Sequence, residues 1–276
     1  MAHEISTSLS KDILVNSSYS LDNNFIFAVQ KMINVSIIIP AFNEQHKIQQ
    51  DIVAADRFLT SDNLSGEIIV IDDGSTDKTS AAAKKATANI QTSCIVERLK
   101  KNYGKGRAIR TGILKSRGKY VIFADSGVCV PFEYVKVGVE LIESNQCQIA
   151  HGSRKMSEGH ISRPQSFYRR ICSGLFHWFL IHDIKHLGNL TDTQCGFKLY
   201  RGDIARELYA QSTINGFTFD IEIILMALSR GYTIKEFAVD WTCDPDSRLK
   251  PIHVAIRVFM DLIYLKRRFN QFLKQN

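Results

Sequence analysis

Three short runs of aliphatic and β-branched residues, each stopped by a turn or an acid, constrain this chain more than any other feature. They are Val35-Ser36-Ile37-Ile38-Ile39 ended by Pro40, Ile68-Ile69-Val70-Ile71 ended by Asp72-Asp73-Gly74, and Tyr120-Val121-Ile122-Phe123-Ala124 ended by Asp125. Such near-continuous apolar runs predict buried strands. Between them the pattern changes to helical spacing. Ile48, Ile52, Ala55 and Leu59 recur along a predicted helix over 44–59. An Ala/Lys-rich helix is predicted over 76–87, with Ser75, Thr76 and Asp77 as caps. A short strand at 94–97 and a helix over 107–116 follow. Strand and helix in alternation predict an α/β fold, a mostly parallel sheet flanked by helices on both faces. Ligands on such sheets gather at the carboxyl ends of the strands, where Asn43-Glu44, Asp72-Asp73 and Asp125 all fall.

The second half is less regular. Strands are predicted at 151–154, 195–200 and 232–241, and helices at 162–181, 219–230 and 251–274. The last two aromatic-bearing helices outside the core pattern, 162–181 and 251–274, mix apolar residues with Arg and Lys. That composition suits either packing on the sheet or a membrane interface. Residues 1–30, rich in Ser, Asn and Asp, are expected to be a flexible arm with a short helix near 25–31. The expected organisation is thus an arm over 1–30, a domain over 31–246 and a C-terminal amphipathic helix over 247–276.

Composition narrows the function classes. With 276 residues, 45% hydrophobic and 23% charged, the chain is neither fibrous nor wholly disordered. Its 35 basic residues exceed its 28 acidic ones, a net charge of +7 that suits anionic partners. The six cysteines form no Cys-x-x-Cys, so reduced buried thiols are expected rather than a zinc ribbon or redox pair. No run of 18 apolar residues and no signal core occurs, so the expected location is cytoplasmic, peripheral on the membrane face.

Three local motifs carry chemistry. Asp72 and Asp73 can accept hydrogen bonds from a base or a ribose, or can simply shape the turn before a helix. In Asn102-Tyr103-Gly104-Lys105-Gly106-Arg107, glycines let the backbone approach an anion while Lys105 and a helix N-terminus add positive potential, or the segment is a solvated turn. Asp125 can hold Mg²⁺ or Mn²⁺ through oxygen, or start a turn into Ser126-Gly127. The stretch 98–119 carries nine Lys or Arg. No recognised nucleic-acid module accompanies it, so nucleic acid is not an expected partner.

In order, the motifs are Ile-Pro-Ala-Phe-Asn-Glu (39–44), Ile-Val-Ile-Asp-Asp-Gly-Ser-Thr-Asp (69–77), Asn-Tyr-Gly-Lys-Gly-Arg (102–107) and Phe-Ala-Asp (123–125). Gly-Ser-Arg (152–154), Asp-Thr-Gln-Cys-Gly-Phe-Lys (192–198), Phe-Asp-Ile-Glu (219–222) and Val-Asp-Trp-Thr (239–242) complete the series. This set resembles the family-two inverting glycosyltransferases. Within them it is most similar to the dolichyl-phosphate β-glucosyltransferase and polyprenyl-phosphate glycosyltransferase branch, over about residues 35–272. The resemblance implies a GT-A nucleotide-diphospho-sugar transferase fold and a UDP-sugar donor, with UDP-glucose foremost. A polyprenyl or dolichyl phosphate is the implied acceptor. Pro40, Ala41, Asn43 and Glu44 are implied to line the nucleoside pocket. Asp72 would meet the uracil with Asp73 close by, Lys105 would approach the nucleotide or its diphosphate, and Ser126 would lie beside the donor. Asp125 is implied to be the metal carboxylate, for Mg²⁺ or Mn²⁺. Arg154, Arg169 and Ser173 stand where that branch binds acceptor phosphate. Asp192 and Gln194 would face the anomeric carbon, Asp192 as a base or an orienter.

One departure is visible. The family usually has Asp-Ala-Asp-Gly where this chain has Asp125-Ser126-Gly127, so the second carboxylate is missing. Two other functions follow as alternatives: hexosyl transfer to a hydroxyl of a soluble or glycolipid acceptor, which needs a general base, and a catalytically silent nucleotide-sugar-binding protein.

Overall fold

The computed structural model describes residues 34–156, 190–242 and 251–270, the side chains of 251–256 excepted. The expected arm over 1–30 and helix over 162–181, with Arg169 and Ser173 on it, lie outside the described residues.

A seven-stranded sheet organises the described residues, in the order β3-β2-β1-β4-β6-β5-β7. The strands are β1 (Val35–Ala41), β2 (Gly66–Asp72), β3 (Ser93–Arg98), β4 (Tyr120–Ala124), β5 (Ile149–Ser153), β6 (Phe197–Arg201) and β7 (Ile234–Ala238). The first four are mutually parallel, as the strand–helix alternation predicts. The sheet as a whole is mixed, because β6 runs antiparallel to both β4 and β5, while β7 is parallel to β5. Pro40 does not end β1. The strand continues through Pro40↔Ile71 and Ala41↔Asp72, whereas its pairing with β4 stops at Ile38↔Phe123. Beyond Ile38 only one neighbour remains, so a residue without an N–H can be carried there.

The helices are α1 (Ile48–Ser61), α2 (Thr79–Thr87), α3 (Lys105–Lys115), α4 (Tyr134–Glu143), α5 (Gly202–Gln211), α6 (Phe219–Ser229) and α7 (Pro251–Arg268). Residues 44–47 form a turn rather than the first turn of α1, with Ile48 N donating to Glu44 O. Alternate residues of the central strands feed two cores. Ile37, Ile39, Ile68 and Val70 face Ile48, Ile52, Leu59, Ala83 and Val135 of α1, α2 and α4. Ile38, Ile69, Ile71, Val121 and Phe123 face Ile109, Ile113, Leu208 and Phe219 of α3, α5 and α6. Strands covered on both faces must be apolar at every position, which is why the runs do not alternate. Helix α7 joins the second core through Leu262, Leu265 and Phe269.

Candidate active site

The carboxyl edge of the sheet is sewn together by loop-to-loop hydrogen bonds. Ala41 and Asp72 are register partners at the ends of β1 and β2. Asn43, in the left-handed region at φ 58°, accepts through Oδ1 from Thr76 N at 2.8 Å. Its own N–H donates to Ser75 Oγ at 2.8 Å, and Glu44 N donates to Thr79 Oγ1 at 2.7 Å. Asn43 tolerates that backbone better than a branched residue would. Asp72 is fully buried. Its Oδ1 accepts from Ser75 N at 2.8 Å, and its Oδ2 is buried with no hydrogen bond, 3.7 Å from the Arg98 Nε.

Asp73 has both oxygens engaged, by Tyr103 N and Gly104 N at 2.8 Å each. Burial raises its carboxyl above the ordinary value, and those two amides draw it back. Asp73 therefore positions the glycine loop. At Gly104, φ is +110° and an added Cβ would overlap the Asn215 carbonyl. The chain's own 214–216 loop approaches there, and that alone requires a glycine.

Asp125 caps β4 and is held by its N–H donating to Gly196 O at 2.8 Å. A Cβ on Gly196 would overlap the Asp125 carboxylate, so that glycine leaves the side chain its space. Lys105, the first residue of α3, reaches Asp125 Oδ1 at 2.6 Å. Burial lowers the Lys105 ammonium, but Asp125 and Asp220 outweigh it and hold it above its usual value. Behind this pair, wholly buried Lys198 donates to Asp220 Oδ1 at 2.8 Å and to Cys195 O at 2.7 Å. Charges thus alternate inward from Asp125 through Lys105 and Asp220 to Lys198. Lys198 and Asp220 escape the sequence assignment. Their signal is the two carboxylates, Asp220 and Glu222, within the otherwise largely apolar Phe219–Ser229 segment, since a charge is buried only when paired.

A divalent cation fits this edge only with help. Among the described residues no group of three or more His, Cys, Asp or Glu could hold a metal. Asp125 is one hard oxygen donor, 37% exposed, so a diphosphate would have to supply much of the remaining shell. Ser126 stands next to it with a buried Oγ that has no hydrogen-bond partner.

The antiparallel direction of β6 brings a second cluster to the same edge. Because β6 begins where β4 and β5 end, the 192–196 loop enters beside Asp125 and Arg154. Arg154 donates from Nε to Asp192 Oδ2 at 2.6 Å and from a terminal nitrogen to Oδ1 at 2.7 Å. Trp241 lies under the guanidinium, 5.2 Å from Cζ to the ring centroid. Burial raises the Asp192 carboxyl, but the Arg154 fork prevails and holds it below the ordinary carboxylate value. Glu236 fixes the backbone beneath, accepting from Thr191 N at 2.6 Å and Asp192 N at 2.7 Å. Both Asp192 oxygens are thus engaged by Arg154, and its proton affinity is lowered. Gln194 N donates to Asp192 Oδ1 at 3.3 Å. The structure therefore brings Pro40, Ala41, Asn43, Glu44, Asp72, Asp73, Lys105, Asp125 and Ser126 to one edge, and Arg154, Asp192 and Gln194 to the β5–β6 end of that edge.

Comparison with known proteins bears on the fold and the family. The described fold resembles glucosyl-3-phosphoglycerate synthase from Mycobacterium tuberculosis, solved with Mg²⁺ and uridine diphosphate. The TM-score is 0.63 at 18% identity, over 84% of this chain and 79% of that one. At such identity the likeness establishes the fold, of the GT-A kind expected. The dolichyl-phosphate beta-glucosyltransferase of Dictyostelium discoideum is 34% identical over 93% of this chain and 78% of its own length. The Homo sapiens protein of the same name is 31% identical over 85% of this chain and 75% of its own. The model of glycosyl transferase family 2 matches residues 36–209, and the chain belongs to that family.

Proposed function

We propose that this chain transfers glucose, with inversion, from UDP-glucose to the phosphate of dolichyl phosphate or a similar polyprenyl phosphate. The observation that carries the choice of acceptor is that Asp192, the candidate base, has both oxygens engaged by Arg154. In a single displacement the bond from the anomeric carbon to the donor's β-phosphate oxygen breaks as a bond to the acceptor oxygen forms. An acceptor phosphate is already an oxyanion, so no proton has to be removed and positive charge is what it needs. A hydroxyl acceptor would require a base with a free oxygen, which Asp192 does not present. The names of the relatives support the same acceptor class.

Asp72, Asn43 and the 40–44 loop would receive the uridine, and Lys105 would turn from Asp125 toward the diphosphate as its charge grows. Asp125 would hold Mg²⁺ or Mn²⁺ together with that diphosphate; when bound, the cation neutralises the leaving group. Membrane contact would be peripheral and at the cytoplasmic face. Among the described residues no helix is long and apolar enough to cross a bilayer. Helix α7 exposes Phe259 and Met260 with Lys266 and Arg267 a turn or two away, a composition suited to an interface.

A donor screen with and without polyprenyl phosphate, following free UDP and lipid-linked sugar, tests the reading. Lipid-linked glucose formed only from UDP-glucose is the expected result. Tight UDP binding with no turnover on any acceptor would replace it with a silent nucleotide-sugar-binding role.

A further inference from the structure

Asp51, a residue of α1 outside all the motifs, holds the turn that presents Asp125. It is 1% exposed, and its Oδ1 accepts from both Gly127 N at 2.7 Å and Val128 N at 2.8 Å. Two successive amides on one carboxylate oxygen fix the peptide planes between them. The backbone they fix is one the chain would otherwise leave. Gly127 has φ +98° and Val128 φ +46°, and a β-branched residue in the left-handed region persists only where its surroundings over-determine it. On the other side of the turn, Asp125 N is tied to Gly196 O at 2.8 Å. The segment is thus fixed at two points, one by β6's loop and one by Asp51.

The missing second carboxylate gains a physical meaning here. A φ of +98° lies beyond the left-handed region that aspartate tolerates, so an Asp at 127 would be strained in this turn. Asp51 is also a costly residue for mere stability: it is a buried carboxylate whose Oδ2 has no hydrogen bond. An apolar side chain would fill that place in α1 more cheaply. We infer that Asp51 is a positioning residue for the donor site, setting the direction in which Asp125, the one carboxylate of the turn, meets the diphosphate and its cation. The inference rests on the proposed reading of Asp125.

The test compares Asp51→Leu, Asp51→Asn and Asp125→Asn with the parent protein. Amide exchange is followed in the metal-free proteins, and Mn²⁺ titrations are run at saturating UDP, with UDP binding alone as a third readout. In Asp51→Leu, exchange at Gly127 and Val128 should rise about tenfold while β2 is unchanged, the loss of two hydrogen bonds to one buried carboxyl oxygen. Mn²⁺ should bind about tenfold more weakly with UDP affinity alone held within about twofold. Asp51→Asn, which keeps one acceptor oxygen and is the nearer isostere, should recover part of both effects and carries the test if the leucine variant does not fold. Unchanged exchange, or faster exchange with undiminished Mn²⁺ affinity, overturns the inference when Asp125→Asn has lost Mn²⁺. If Asp125→Asn binds Mn²⁺ as the parent does, the reading of Asp125 itself falls, and the role of Asp51 with it.

Discussion

At the scale of single residues, the Arg154–Asp192 fork is a largely buried ion pair at the β5–β6 end of the edge. Asp192 is 2% exposed on its side chain and Arg154 17%, so removing either partner leaves a charge largely cut off from water. Asp192→Asn should therefore destabilise the fold by ~3–5 kcal/mol, read as a lower urea midpoint, and pairing it with Arg154→Met should recover much of that. The pH dependence has a defined sign. Because the folded carboxyl lies below its unfolded value, the fork's contribution is fully present above roughly pH 4 and is lost as pH falls through the lower folded value. Acid unfolding of the parent should steepen in that window, and the double variant should lack the steepening. Kinetics separate orienter from base: Asp192→Asn should raise KM for the acceptor more than for the donor and leave the acidic limb of the pH–rate profile in place. Position 127 gives a second residue-level prediction. Gly127→Asp restores the family's acidic pattern in sequence only. It should cost ~1–2 kcal/mol of stability from backbone strain and bring no gain in Mn²⁺ affinity by titration.

At the scale of elements, what sequence could reveal depended on whether an element's signal is local. The helices α1, α2, α3 and α6 and the strands β1 to β4 follow from apolar spacing and turn residues that lie within a dozen positions. Helix α4 has the same signal in Val135, Gly138 and Ile142, and α5 in Ile204, Ala205, Leu208 and Tyr209, yet both are short segments beside stronger strand runs. The direction of β6 has no local signal, since it is set by which neighbours it pairs with. That direction is what delivers Asp192 and Gln194 to the site. The roles of Asp51 and Glu236 were illegible for the same reason: their partners lie 76 and 45 positions away. Helix α6 shows how far one buried charge reaches. Glu222, fully buried, accepts from Ser212 Oγ at 2.9 Å, Thr213 N at 3.0 Å and Ile214 N at 2.9 Å, and pairs with Arg268 of α7. Glu222→Ala should unseat both the loop that packs on Gly104 and the end of α7. The expected loss is ~3–5 kcal/mol, with faster amide exchange across 257–269 than across β1.

At the scale of the whole molecule, the proposed lipid-phosphate acceptor predicts that the net charge of +7 and the exposed face of α7 act together at a membrane surface. Two forces of different range are involved. The basic residues Lys266 and Arg267 attract an anionic surface over about a Debye length, near 10 Å at 0.1 M salt and near 3 Å at 1 M. Phe259 and Met260, 52% and 61% exposed, contribute only on contact, by burying apolar surface in the headgroup region. Vesicle sedimentation can separate them. Binding to vesicles with anionic lipid should fall steeply as salt rises, and binding to neutral vesicles should be weak throughout. Met260→Ser should lower binding at every salt concentration without changing the slope, whereas Arg267→Glu should flatten the slope. Neither substitution touches the Arg154 fork or the Asp125 turn, so turnover on a short-chain, water-soluble polyprenyl phosphate should stay at the parent rate. Turnover on the long-chain acceptor in vesicles should fall in step with binding. A salt-independent interaction, or equal losses on both acceptors, would mean that α7 serves the fold through Leu262 and Leu265 and not a membrane surface.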